Sequence, residues 1–341
     1  MKRRRGFVLV AALWLLVMLA AVGLDAALRS RTRRLTAANL LDETRALAAA
    51  EAATEYARSR LTAAMMEWAD EIRSDALSRA RTQGQRDQAA RRSVRSLMTG
   101  QNPFEDPWRE PQFLVEPEMA FGDARFSLRL RDTGAALNLN TANEEMLVNF
   151  FAQGMGVDYA EAFDLAQAIL DWRDEDELPR IGGGEREQYI AEGMPVLPTN
   201  REFAELDELR HVMGMTPELF ESAAPYLTLT SSGRINVNAA PEPVLLALPG
   251  FTVAAAQELI RMRESGVVAR SGGQLRAMLP FLETGETARE RQQFDRLTTY
   301  ATNEVEIIAD GRVDGSPMQV QARVVVQRSN AGAVVVWRRV E

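Results

Sequence analysis

The chain has 341 residues, 46% of them hydrophobic and 7% aromatic, which allows two folded cores, and a formal net charge of −8. It contains no cysteine, which excludes disulfides, thiolate metal sites and cysteine nucleophiles. Residues 1–100 carry +8 and residues 101–341 carry −16, so the larger part is poorly suited to gripping a phosphate backbone.

Met1-Lys-Arg-Arg-Arg-Gly6 abuts an uncharged apolar run, Phe7–Leu24. Eighteen helical residues at ~1.5 Å each reach about 27 Å, close to the hydrocarbon thickness of a bilayer, so one membrane span is expected. A secretory signal places its small-residue cleavage site after the apolar run. Here the small residue comes before it. That order resembles the class III leader of type IV pilins and pseudopilins, which a prepilin peptidase cuts after glycine before methylating the new N-terminus. The resemblance implies that Gly6 and Phe7 flank the cleaved bond. Lys2 and Arg3–Arg5 favour a cytoplasmic N-terminus, which puts the folded part in the periplasm, anchored once in the inner membrane. Arg29, Arg31, Arg33 and Arg34 lie beyond the span and oppose that bias. They form the solvated face of a long helix or sit near anionic headgroups. The fifth residue after Gly6 is Ala11. Ordinary pilins have glutamate there, paired with the N-terminal amine of a neighbour. Alanine at this position implies a subunit at the end of a filament.

Residues 25–98 lack proline and hold only Gly84, a strongly helical composition, with a break expected near Gln83-Gly-Gln85. Gly100-Gln-Asn-Pro103 and the prolines at 107, 111 and 117 predict an irregular connection. Phe126–Arg131 alternates apolar and polar residues and reads as a strand. The next strand signals are Glu304–Ile308, Met318–Val326 and Ala333–Trp337, which predict an antiparallel meander. The intervening block, 135–290, is mostly helical. The pattern implies an α+β fold with an all-α insertion. Its divisions are a leader (1–6), a span (7–24), a first part (25–134), the insertion (135–290) and a second part (291–341).

The insertion contains a repeat. Leu137-Asn-Leu-Asn-Thr-Ala-Asn-Glu-Glu-Met-Leu147 aligns without a gap with Ile235-Asn-Val-Asn-Ala-Ala-Pro-Glu-Pro-Val-Leu245, with five identities. Each copy sets asparagine ahead of a helix start, where its oxygen can accept an orphan backbone N–H. Leu248–Arg263 resembles the hairpin of helix-hairpin-helix DNA-binding modules, but the second glycine of that hairpin is Thr252. Asp171-Trp-Arg-Asp-Glu-Asp-Glu177 closes an expected helix over 159–172, followed by Gly182-Gly-Gly-Glu-Arg-Glu187. Carboxylates at a helix C-terminus oppose its dipole and call for a cation. Hard oxygens without histidine or cysteine favour Ca²⁺, and Arg173, Arg180 and Arg186 are the alternative counter-charges. The single histidine, His211, falls in an expected helix over Glu205–Met213 with no catalytic partner in sight.

The leader with Ala11, the Leu-Asn-Leu-Asn segment, Asp171–Asp176, Glu208–Leu219 and Arg234-Ile-Asn-Val-Asn-Ala-Ala-Pro241 together resemble the protein K family of the type II (general) secretion pathway. The resemblance implies a non-enzymatic minor pseudopilin with a pilin-like fold, a long N-terminal helix packed on an antiparallel sheet, and a large helical insertion. It also implies a place at the tip of the pseudopilus beside the I- and J-type minor pseudopilins, and calcium in the insertion, here assigned to Asp171, Asp174, Asp176 and Glu185. A membrane-anchored DNA-binding pseudopilin of a competence or type IV pilus system is the alternative. The acidic outer region and Thr252 weigh against it, and no nucleic-acid partner is expected.

Overall fold

The computed structural model describes residues 4–88, 91, 106–282 and 287–341, with side chains from Ala12 onward. The first three leader residues, the side chains of Phe7 and Ala11, and the connection at 100–103 lie outside that description.

A helix of 75 residues, α1 (Arg4–Ser78), runs from the apolar segment into the folded body. Its early part is apolar enough to cross a membrane, and none of that window is buried. From Ala46 onward one face is covered: Ala46, Ala49, Ala50, Ala53 and Ala57, then Leu61 and Met65, are fully buried. Spacings of three and four place these residues on one stripe, and alanine keeps the helix axis near the sheet. The helix ends at Ser78 and turns over 79–82, ahead of the break expected at Gln83-Gly-Gln85. Residues 83–88 are themselves helical.

The sheet is antiparallel and, among the described residues, five-stranded: β1 (Glu118–Phe121), β2 (Ala124–Asp132), β7 (Glu304–Val313), β8 (Gln319–Ser329) and β9 (Gly332–Val340), in that spatial order. β1 carries no burial alternation, all four residues being exposed, and it pairs only as the outer arm of a hairpin with β2. Sequence reading therefore missed it. Phe126, Leu128 and Leu130 of β2, Val305 and Ile307 of β7, and Val324 and Val326 of β8 form a core with the α1 stripe. Gly311 lies where β7 crosses α1, and a Cβ there would come within 2.0 Å of the Ala46 carbonyl oxygen. The other face of the sheet is a lattice of charge. The fully buried Glu306 carboxylate bridges Arg131 and Arg323, and Arg129 reaches Asp310 at 3.1 Å.

Asp132 and Val305 are register partners, so the chain leaves the sheet at the end of β2 and re-enters beside its exit point. Everything between is one insertion with its own core, from Leu137 to Phe294. The second boundary thus falls at Glu304, not at 291: α9 (Ala288–Leu297) buries Phe294 in the insertion, and β6 (Thr298–Thr299) pairs with β5 (Ile235–Asn236). A matching parallel pair joins β3 (Leu137–Asn138) to β4 (Leu227–Thr228).

Candidate functional site

The insertion consists of two related units, each closed by the same three side-chain devices. In the first, Asn138 Oδ1 accepts the Asn140 N–H at 2.8 Å, and Asn140 exchanges two hydrogen bonds with the backbone of Phe203. In the second, Asn236 Oδ1 accepts from Asn238 N at 3.1 Å, and Asn238 exchanges two with Ala269. α3 (Tyr159–Arg173) ends in Arg173, whose guanidinium donates to the carbonyls of Leu139 and Ala142. α7 (Val253–Glu264) carries Arg263 in its last turn, where it donates to the carbonyls of Val237 and Ala240. The asparagines satisfy buried backbone groups, and the arginines do the same from helix C-termini. Sequence reading found the asparagines but missed the arginines. Asp-Trp-Arg173 and Arg-Met-Arg263 share only the final residue, so the second half of the repeat carries too few identities to align by eye.

The units differ in what joins arginine to clasp. Arg263 and Ala269 are separated by a tight turn, whereas Arg173 and Phe203 are separated by the acidic loop and α4 (Arg186–Ala191). Trp172 anchors this longer excursion, stacking on Phe203 at 6.0 Å between ring centres, with Tyr189 5.9 Å away on another side. The Tyr189 hydroxyl accepts the Met213 N–H at 2.8 Å. Gly183 passes so close to α3 that a Cβ would lie 2.2 Å from the Asp171 carboxylate.

Within the loop the four expected carboxylates divide three to one. Asp174, Asp176 and Glu185 each place a carboxylate oxygen within 4.8 Å of the others'. Asp171, fully buried, accepts from the Arg180 guanidinium at 2.7 Å and from the Arg180 backbone N–H at 3.0 Å. Arg180 also reaches Asp174, so it is the counter-charge at the helix end, while Arg173 is occupied by carbonyls. Glu185 is 2% exposed, yet neither of its oxygens nor Asp174 Oδ1 has a hydrogen-bond partner. Burial, followed by the fields of Asp171, Asp174, Asp176 and Glu177, pushes the Glu185 carboxyl up to about 7. A calcium ion has oxygen ligands at roughly 2.3–2.6 Å, so ligands across it lie up to about 5 Å apart. The three oxygens fit that span.

Other sequence-singled residues have structural duties. Thr252 caps α7, accepting the Ala255 N–H at 3.2 Å and donating to the Phe281 carbonyl at 3.0 Å. His211 closes a short 3₁₀ helix, Leu206–His211, where an α-helix was expected. At the junction with the sheet, sequence reading missed Asp132, which accepts from Asn236 at 2.6 Å, Thr302 at 2.8 Å and Gly134 N at 2.8 Å.

The model of the family described as type II secretion system, protein K, matches residues 130–232, from the end of β2 through the first unit and its acidic loop. The type II secretion system protein K of Klebsiella pneumoniae is 26% identical over 238 residues, covering 64% of this chain and 70% of that protein. Over these residues the chain is similar to the type II secretion system protein K family. The family's Pectobacterium carotovorum member is 27% identical over 51% of this chain and 57% of its own length. The fold is similar to that in the GspK–GspI–GspJ complex of the enterotoxigenic Escherichia coli type 2 secretion system, at a TM-score of 0.52 and 19% identity, covering 81% of this chain and 95% of that one.

Proposed function

We propose that this minor pseudopilin of type II secretion caps the tip of the pseudopilus, carried there by α1 and held by I- and J-type minor pseudopilins. The observation that carries the reading is the insertion at the Asp132–Val305 pair: it adds a second core, from Leu137 to Phe294, to a frame otherwise built like a filament subunit. A body of about 170 residues has a radius of gyration near 15 Å, too bulky to recur along a tightly wound shaft. Ala11 supports the same place, because it offers no carboxylate to the amine of a subunit lying beyond it. The relative solved as a GspK–GspI–GspJ complex supports the choice of partners. The role is one of assembly, with no catalytic step.

In this reading a prepilin peptidase removes residues 1–6, Phe7 becomes the methylated N-terminus, and the folded domains face the periplasm. Calcium belongs to the insertion, held by Asp174, Asp176 and Glu185, with Asp171 acting through Arg180 to brace the loop. The ion supplies the positive charge that the orphaned Glu185 oxygens lack.

Immunogold labelling of assembled filaments tests the placement. Label confined to filament ends is expected, and regular label along the shaft would refute it. Mass spectrometry of membrane-extracted protein should find residues 1–6 missing wherever the peptidase is active.

A further inference from the structure

We propose that Arg33 and Arg34, with Arg29 beside them, form a binding site for the phosphodiester headgroups of anionic phospholipids at the outer face of the membrane that α1 spans. The first buried residue of α1 among the described side chains is Ala46, and every residue over 24–38 is exposed. This uncovered collar, 25–41, carries a net +3, whereas 42–78, packed on the sheet, carries −4. One helix therefore changes sign where it leaves the folded body. Arg29 lies roughly 7 Å beyond Leu24 along the axis, at the edge of a headgroup layer some 5–8 Å thick, and Arg33 and Arg34 lie about 13–15 Å beyond Leu24, where extended arginine stems can reach back toward that layer.

Ala26, Arg29, Ser30, Arg33, Arg34 and Ala37 share one exposed face of the helix, where small residues alternate with the arginines. Arg29 is shared with Asp25 at 2.8 Å, and among the described residues no carboxylate pairs with Arg33 or Arg34. A guanidinium offers paired donors to phosphate oxygens, and Ser30 adds a hydroxyl. Cations on the outer side work against the orientation set by Lys2–Arg5. An anionic surface in register with them gives their charge a partner. Free phosphate would satisfy the same donors, but only a lipid arrives at this depth with its acyl chains alongside the apolar run.

This inference rests on α1 spanning the membrane, and alkaline extraction tests that first: a chain released by alkali sinks both readings. The full chain, delipidated in neutral detergent, is then titrated with phosphatidylglycerol, with phosphatidylcholine and with inorganic phosphate, and adducts are read by native mass spectrometry. Phosphatidylglycerol is expected to bind preferentially. Arg33→Gln with Arg34→Gln should cut that affinity roughly 30-fold, at about fivefold for each arginine near the surface, while the lysine pair retains most of it. Glutamine keeps α1 helical, so the folded body should melt unchanged. Equal binding of the two lipids, displacement by millimolar phosphate, or an unaltered glutamine variant would each overturn the proposal. So would a glutamine variant that keeps its lipid but loses co-purifying minor pseudopilins, which would assign the arginines to an acidic neighbour.

Discussion

Glu185 is a buried carboxylate facing other carboxylates with no donor on either oxygen, and its behaviour should depend on what fills the loop. Calcium at a hundredfold excess over its dissociation constant should stabilise the full chain by about 2.7 kcal/mol, seen as a higher melting midpoint than in chelator. Glu185→Gln should reverse its rank with condition: more stable than the parent in chelator at neutral pH or above, less stable in calcium. Identical midpoints with calcium and chelator in both proteins would count against a metal at Asp174, Asp176 and Glu185. Asp132 poses a separate test. Burial raises its carboxyl from 3.8 to about 6, against the lowering effect of Asn236, Thr302 and Gly134, with Asp106 adding a smaller upward push. Arg328 faces the same junction but is held by Asp106 at 2.7 Å. Between those two values the native state binds the extra proton, so this group's contribution falls as pH rises from about 4 to 6. The loss is of order 3 kcal/mol. Asp132→Asn, which stays neutral, should flatten that stretch of the stability profile; a profile as steep as the parent's would refute the assignment.

Close approach of α1 to the sheet depends on the alanine stripe and on Gly311. Gly311→Ala must push α1 away from β7, because the clash is with the backbone oxygen of Ala46 and not with a movable side chain. A cost of roughly 3 kcal/mol in denaturant unfolding is expected, whereas Gly84→Ala, with open space around it, should be neutral or better. The elements readable in the sequence were α1, from its helix-forming composition, and the strands with a pattern: the alternation of Phe126–Arg131 and the valine-rich β8 and β9. β1 has no buried side, and α9 keeps only Phe294 buried amid charge, so the insertion's end was placed too early. The acidic loop was legible as composition. Its internal division was not, because which carboxylate meets Arg180 depends on how Gly183 lets the loop fold back onto α3. Asn238→Ala tests the clasp in the second unit. It removes donors to the Ala269 and Tyr300 carbonyls and an acceptor for Ala269 N. A loss of about 2–4 kcal/mol is expected, and a change under 1 kcal/mol would show that water replaces the clasp.

At the scale of the whole molecule, the two cores are separate. The core between α1 and the sheet shares no buried apolar residue with the core of the insertion, and the two ends of the insertion lie side by side at Asp132 and Val305. Replacing 134–303 by a two-residue asparagine–glycine turn should therefore leave β2 and β7 joined as a hairpin. The shortened chain loses the Thr302 carbonyl that Arg328 contacts but keeps the Asp106–Arg328 pair and the Trp108 indole donating to the Leu61 carbonyl. It should melt cooperatively, without any response to calcium. Its position in the filament then separates the two arguments for the tip. If bulk is what keeps the parent from the shaft, immunogold label on the shortened chain should spread along filaments, and more so when Ala11→Glu restores a carboxylate for a neighbour's amine. Label that stays at filament ends in both variants would show that contacts with the other minor pseudopilins, and not the size of the insertion or the missing carboxylate, set the place of this subunit.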